Sequence, residues 1–204
     1  MTFAAVLFAL IMVATLAGPQ PAQASLIPFF DSVAPAGANF TWTYGVGLAE
    51  DQRATGGPAQ TINPVPTNAA TGDFVTVYDF RGFVSGTCFA PSGWSCQTPT
   101  TGFTPSTQSP ADDPTITNLT FTRTGDTING PVADLGDFGA QSAYNGLILG
   151  TFTSRGTKMG SAADGTDIDS IGSVPTPVPE PATLLLFGSA LTGLGLVGRR
   201  VRKR

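Results

Sequence analysis

Ten consecutive residues, Asn39–Leu48 (NFTWTYGVGL), set Phe40, Trp42, Tyr44, Val46 and Leu48 on one parity and Thr41, Thr43, Gly45 and Gly47 on the other. An apolar period of two, built from aromatic and β-branched residues, buries one face as a strand and not as a helix. No helical period longer than two turns appears between Ser25 and Ser173. The 25 glycines and 17 prolines suit short strands and turns, and with charged residues at only 12% they exclude a long-helix or coiled-coil protein.

Further strand-like runs follow the same logic. Gly72–Phe83 alternates Phe74, Thr76, Tyr78 and Phe80 against Val75, Val77 and Asp79. Thr115–Thr124 changes parity between Ile116 and Leu119, which predicts a bulge or break near Asn118. Asp126–Val132 and Asn145–Thr153 are shorter candidates. Ala49–Asn68 and Thr98–Pro114 have loop composition and no apolar period. The expected fold is mainly β: an antiparallel β-sandwich body over residues 25–173, with one face of each sheet buried. About 150 residues suffice for such a core.

The charge is unevenly placed. Arg199, Arg200, Arg202, Lys203 and Arg204 are five of the ten basic residues, while Ser25–Val178 holds 13 acids and 5 bases. An acidic body repels a phosphate backbone, so nucleic acid is not an expected partner. Histidine is absent, which removes imidazole acid–base chemistry and the commonest metal ligand.

Both ends carry targeting signals. Phe3–Ala17 is an uncharged apolar run, followed by Gly18, Pro19, Pro21 and then Ala22-Gln23-Ala24. Small residues at Ala22 and Ala24 fit signal peptidase, so residues 1–24 are expected as a signal peptide helix cleaved before Ser25. At the other end, Ala182–Gly198 is uncharged and about 25 Å long as a helix, enough for one short membrane span. The basic residues 199–204 then act as a stop-transfer tail that stays cytoplasmic. Between body and span, Val174-Pro175-Thr176-Pro177-Val178-Pro179 alternates proline. It is expected as an extended polyproline-like stalk over 174–181, preceded by a flexible lead, Ser161–Ser173.

Pro179-Glu180-Pro181, a Leu/Gly-rich span and an Arg-rich end, in that order, resemble the PEP-CTERM protein-sorting domain. The resemblance covers about Val178–Arg204. It implies recognition by an exosortase, transient anchoring in the inner membrane, cleavage near Pro179-Glu180-Pro181, and release or transfer to the cell surface. It also brings in exopolysaccharide as a candidate partner. Its implied role is structural, at the surface or in an extracellular matrix, with a polysaccharide-binding module as the alternative. Phrases across Asn39–Phe152, among them Phe40-Thr41-Trp42-Thr43-Tyr44 and Val77-Tyr78-Asp79-Phe80, resemble the body of a PEP-CTERM subgroup without an assigned activity.

Few residues in the body suggest chemistry. Cys88 and Cys96 enclose a turn-forming loop in an exported chain, which favours a disulfide. A catalytic thiol would lack a histidine partner. Asp164, Asp167 and Asp169 could supply oxygen ligands to Ca²⁺, but their spacing departs from the EF-hand loop and also reads as a solvated linker. Asp112-Asp113 and Asp134/Asp137 are carboxylate pairs in turn-like contexts. Trp94 and Tyr144 are candidates for stacking on sugar. No enzyme activity, cofactor or metal is expected.

Overall fold

A computed structural model describes residues 25–57, 72–160 and 162–180. The signal peptide helix, with Ala22 and Ala24, lies outside these residues. So do Pro181, the apolar run 182–198 and the basic tail 199–204. Among the described residues no helix is long and apolar enough to cross a membrane.

The described chain is mainly β and every strand pairing is antiparallel. Ten strands run in order: β1 Leu26–Ala36, β2 Asn39–Leu48, β3 Gln52–Ala54, β4 Phe74–Val77, β5 Trp94–Gln97, β6 Leu119–Arg123, β7 Ile128–Asn129, β8 Phe138–Ser142, β9 Gly146–Lys158 and β10 Asp167–Val178. A three-stranded sheet has the order β1-β2-β8, and a larger sheet the order β5-β6-β4-β9-β3-β7 with β10 added on β9. Along β9, one edge carries β10 over its full length; the other is divided between β4, at Phe152–Arg155, and β3, at Thr157–Lys158.

The two sheets share one apolar cluster. Trp42, Tyr44, Val46 and Leu48 of β2 meet Val75 and Val77 of β4, Leu119 and Phe121 of β6, Phe138 of β8 and Phe152 of β9. The parity of Asn39–Leu48 therefore has the physical meaning expected of it, and Phe40 at the strand's start is only partly covered. Trp42 donates its Nε1–H to the Tyr144 carbonyl at 2.9 Å, and Tyr44 donates its hydroxyl to the Pro175 carbonyl at 2.9 Å. Each buried aromatic thus places its polar atom at the edge of the core.

The larger sheet buries its second face as well. Val75 and Val77 point into the shared core, while Phe74, Thr76 and Tyr78 point the other way, under the Thr98–Pro114 segment. That segment has no strand, as its composition predicts, but it is a cover rather than a free loop. Phe103 is buried against Phe74, with ring centroids 5.5 Å apart, and its carbonyl accepts from the Thr76 hydroxyl at 2.8 Å. Hydroxyl side chains can line this inner layer because loop carbonyls and other hydroxyls take their hydrogen bonds.

Several strand expectations shift. Gly72–Phe83 yields only Phe74–Val77, because Asp79 takes a positive φ of 54° and turns the chain, sending Phe80 back into the shared core. Asn118 holds that turn: its Oδ1 accepts from the Asp79 N–H at 2.8 Å, and its Nδ2 donates to Asp112 and to the Thr100 carbonyl. The break predicted near Asn118 is the start of β6 at Leu119. Asp126–Val132 shortens to β7, and Asn145–Thr153 extends to Lys158.

The largest departure is at the C-terminal side. Asp167–Val178 is a continuous strand paired residue for residue with β9, from Asp167↔Thr157 to Val178↔Gly146. From Asp167 to Val178 the expected lead and stalk are therefore part of the sheet, with Val174 and Thr176 buried. Proline lacks an N–H, so it fits a strand only where that position faces away from the partner. On an outer strand alternate residues face away, and Pro175 and Pro177 sit at alternate positions. The Pro175 carbonyl also faces outward, since it accepts from Tyr44 and not from β9. β1 carries Pro28 and Pro35 on the outer strand of the smaller sheet by the same rule.

Candidate functional site: the sorting junction and its cleft

The β9–β10 ribbon delivers the chain to Pro179 and Glu180, both exposed. Pro179 forms part of the wall of a cleft of about 410 Å³, together with Phe80, Arg81, Gly82, Phe83, Thr115, Ile116, Thr117 and Tyr144. Phe80 is buried at its base, with its ring edge-on to Trp42 at 6.2 Å and to Phe83 at 6.4 Å. The wall opposite depends on Gly82, which has φ +66° and lies so close to the Tyr144 ring that a Cβ would come within 2.7 Å of Cδ2. Any larger residue there meets both backbone strain and the tyrosine. Ser142 fixes the turn by donating its hydroxyl to the Arg81 carbonyl at 2.7 Å and accepting from the Tyr144 N–H at 3.0 Å.

The cleft is lined by aromatic rings, hydroxyls and one exposed arginine, with Pro179 at its wall. The strand that ends at Val178 holds Pro179 there. Two prolines around Glu180 keep the peptide out of regular structure, and the exposed carboxylate is available to a partner. The cleft was not legible in the sequence, because its walls come from four separated segments.

Ser25, the residue expected to follow signal cleavage, is buried at the head of β1, and its N–H donates to Ser170 Oγ of β10 at 3.0 Å. Gly156 of β9 leaves the room for it: a Cβ there would lie 2.3 Å from Ser25 Oγ.

Cys88 and Cys96 form the disulfide, with Cα atoms 6.0 Å apart. It ties the segment before β5 to β5 itself. Trp94, in the same loop, is only 8% exposed and belongs to the shared core. Its ring is edge-on to Phe138 at 5.2 Å, and the Arg123 guanidinium sits over it at 5.7 Å from the centroid. The stacking role expected for Trp94 is therefore corrected: the ring is occupied by protein. Tyr144 is only partly covered and keeps that possibility.

The acidic residues have protein partners. Asp164 pairs with Arg53 at 3.2 Å; Asp167 and Asp169 pair with Arg155 at 3.3 and 3.0 Å. They stabilise the turn end of the β9–β10 hairpin, and among the described residues no group of three or more acidic or cysteine side chains is placed to hold a metal. Asp113 accepts from the Thr115 N–H and hydroxyl, which hold its carboxyl below the usual range. Asp112 is raised by burial, against the stabilising Asn118 amide. Asp134 accepts from the Val46 and Gly136 N–H groups. Asp112, Asp113 and Asp134 thus hold local turns and loops, and Asp137 is exposed.

Burial also raises Asp73, to about 6, with the Thr55 N–H and Thr157 hydroxyl working against that rise. This carboxyl had no signal in the sequence. It joins β3, β4 and β9 through the Thr55 N–H at 2.6 Å and the Thr157 hydroxyl at 3.0 Å.

Against this geometry, the PEP-CTERM protein-sorting motif family matches residues 177–203. The chain carries a PEP-CTERM sorting signal. The signal implies export, transient membrane anchoring and an exosortase as processing partner. It begins at Pro177, inside β10, so its first residues are also the last of the sheet. No curated protein and no solved structure matches the chain.

Proposed function

We propose that the chain is an exported structural protein of the cell surface or extracellular matrix, without catalysis of its own. Its two sheets form a β-sandwich module that export delivers and the C-terminal signal sorts. The signal peptide 1–24 is removed before Ser25, residues 182–198 span the inner membrane, and Arg199, Arg200, Arg202, Lys203 and Arg204 hold the cytoplasmic side. The exosortase cuts near Pro179-Glu180-Pro181, after which the body is released or transferred. The observation that carries this reading is the sorting match at 177–203 joined to a sheet that ends at Val178, leaving Pro179 and Glu180 exposed. Ser25 supports the other end, because β1 starts directly after it.

Deleting the exosortase in the host should keep the full-length protein in the membrane fraction. Replacing Pro179, Glu180 and Pro181 with alanine should do the same in a normal host. Unchanged mobility and location in both would overturn the reading.

One observation favours a second reading, binding of exopolysaccharide: Tyr144 and Phe83 leave partly covered rings beside Arg81 in the cleft. Co-sedimentation of the exported protein with host exopolysaccharide, lost on Tyr144→Ala, would support it. Absence of co-sedimentation would remove it.

A further inference from the structure

The β9–β10 ribbon has two unlike halves. From Thr151 onward, β9 is covered on its second edge by the turn after β4, by β4 and by β3; the Tyr78 N–H donates to the Thr151 carbonyl at the limit of that cover. Gly146–Gly150 pairs only with Val174–Val178, so this half of β9 has no strand on its second edge. It presents Leu147 at 53%, Ile148 at 53% and Leu149 at 73% exposure. These are three of the five large apolar side chains exposed among the described residues, and they are consecutive. Residues 138–154 and 170–179 carry no charge. Leu147 and Leu149 share one face of the strand and Ile148 the other, so around the uncovered edge of β9 the three form an apolar rim, a contact surface rather than scattered exposure.

Its position says what it touches. The register sets Pro177 opposite Leu147 and Val178 opposite Gly146. The chain leaves the sheet beside the patch, and the apolar run begins at Ala182, four residues on. Four extended residues reach at most about 14 Å. While 182–198 lies in the membrane, the ribbon tip is tethered at the bilayer surface, where exposed leucines enter the region between headgroups and acyl chains.

We propose that Leu147, Ile148 and Leu149 form a membrane-contact edge that seats the exported body on the outer surface of the bilayer during its anchored stage. The inference rests on the anchored stage argued above. Its consequence is geometric: with the tip seated, Pro179 and Glu180 are held at the membrane surface, where a membrane-embedded processing enzyme works.

The test uses the full chain, disulfide intact, in phosphatidylcholine vesicles carrying a nitroxide lipid at shallow depth. Single labelled cysteines replace Leu147, Leu149, Ile171, Thr127 or Leu185. Thr127 is exposed beside β7, away from the ribbon tip, and Leu185 lies in the apolar run. Quenching at Leu147 and Leu149 should be several-fold stronger than at Thr127, with Ile171 between, because Ile171 is four strand residues from Pro175. Introducing Leu147→Asp with Ile148→Asp should abolish quenching at Leu149 and leave Leu185 quenched. Quenching at Leu185 alone overturns the contact edge and leaves the anchored stage intact. An unquenched Leu185 overturns the anchored stage and this inference together. A blue-shifted but unquenched label at Leu149 means protein, not lipid, covers the patch, and also overturns it.

Discussion

At the residue scale, the buried carboxyl of Asp73 is the clearest source of pH dependence. Its folded value of about 6 lies above the ordinary carboxyl value of 3.8, because burial disfavours the charged form. The folded state therefore holds this proton more tightly than the unfolded chain. Stability from this group is fully present below about pH 4, falls as pH rises toward 6, and is level above that. The fall is about 1–3 kcal/mol. Asp113 and Asp51, held low by Thr115 and Lys158, work in the opposite sense, and only at more acid pH. Denaturant titrations between pH 4 and 7 should show the midpoint of the native chain dropping across this window. Asp73→Asn should flatten that drop; an undiminished slope in the variant would show another group responsible.

At the scale of elements, the prolines of β10 are accommodated because their missing N–H groups lie on the side away from β9, where the Pro175 carbonyl takes the Tyr44 hydroxyl and Pro177 is buried. The disulfide acts on a different element. Cys88 and Cys96 are separated by eight positions, and closing a loop of that size stabilises by about 2–3 kcal/mol through the unfolded chain. Cys88→Ser with Cys96→Ser should lower stability by about that amount. Because Arg123 also brackets the loop, donating to the Gly93 carbonyl, Trp94 fluorescence should stay that of a buried ring.

At the scale of the whole molecule, the C-terminal strand binds the two sheets to one another. Val174 joins the shared core and the Pro175 carbonyl takes the Tyr44 hydroxyl from the smaller sheet. A body ending after Ser173 loses both, together with the pairing along Gly146–Gly150 of β9. Burial of one valine alone is worth about 1.5–3 kcal/mol, and the buried Tyr44 hydroxyl left without its acceptor adds about 1–3 kcal/mol. Chains ended after Ser173 and after Val178 should therefore differ by several kcal/mol in denaturant unfolding, the longer being the more stable. Equal midpoints would show that the segment is a stalk after all. A cut beyond Val178 would leave this strand whole.

Legibility followed the range of the forces involved. Asn39–Leu48 was readable because its period of two is a local property, and the sheet merely gave that period a core to face. The sorting signal was readable because proline, an apolar run and clustered arginines act through the chain's own stiffness and its solvent. Leu26–Ala36 and Asp167–Val178 were not, since their prolines argue against a strand until an outer edge is available. Polyproline and edge-strand backbones are close in φ and ψ, so the neighbour β9 decides between them. Trp94 looked exposed in a short cysteine loop; Arg123 and Phe138, distant in sequence, bury it. The cleft at Pro179, the raised Asp73 and the apolar ribbon tip depend on which segments meet, and that was decided only when the two sheets closed on a common core.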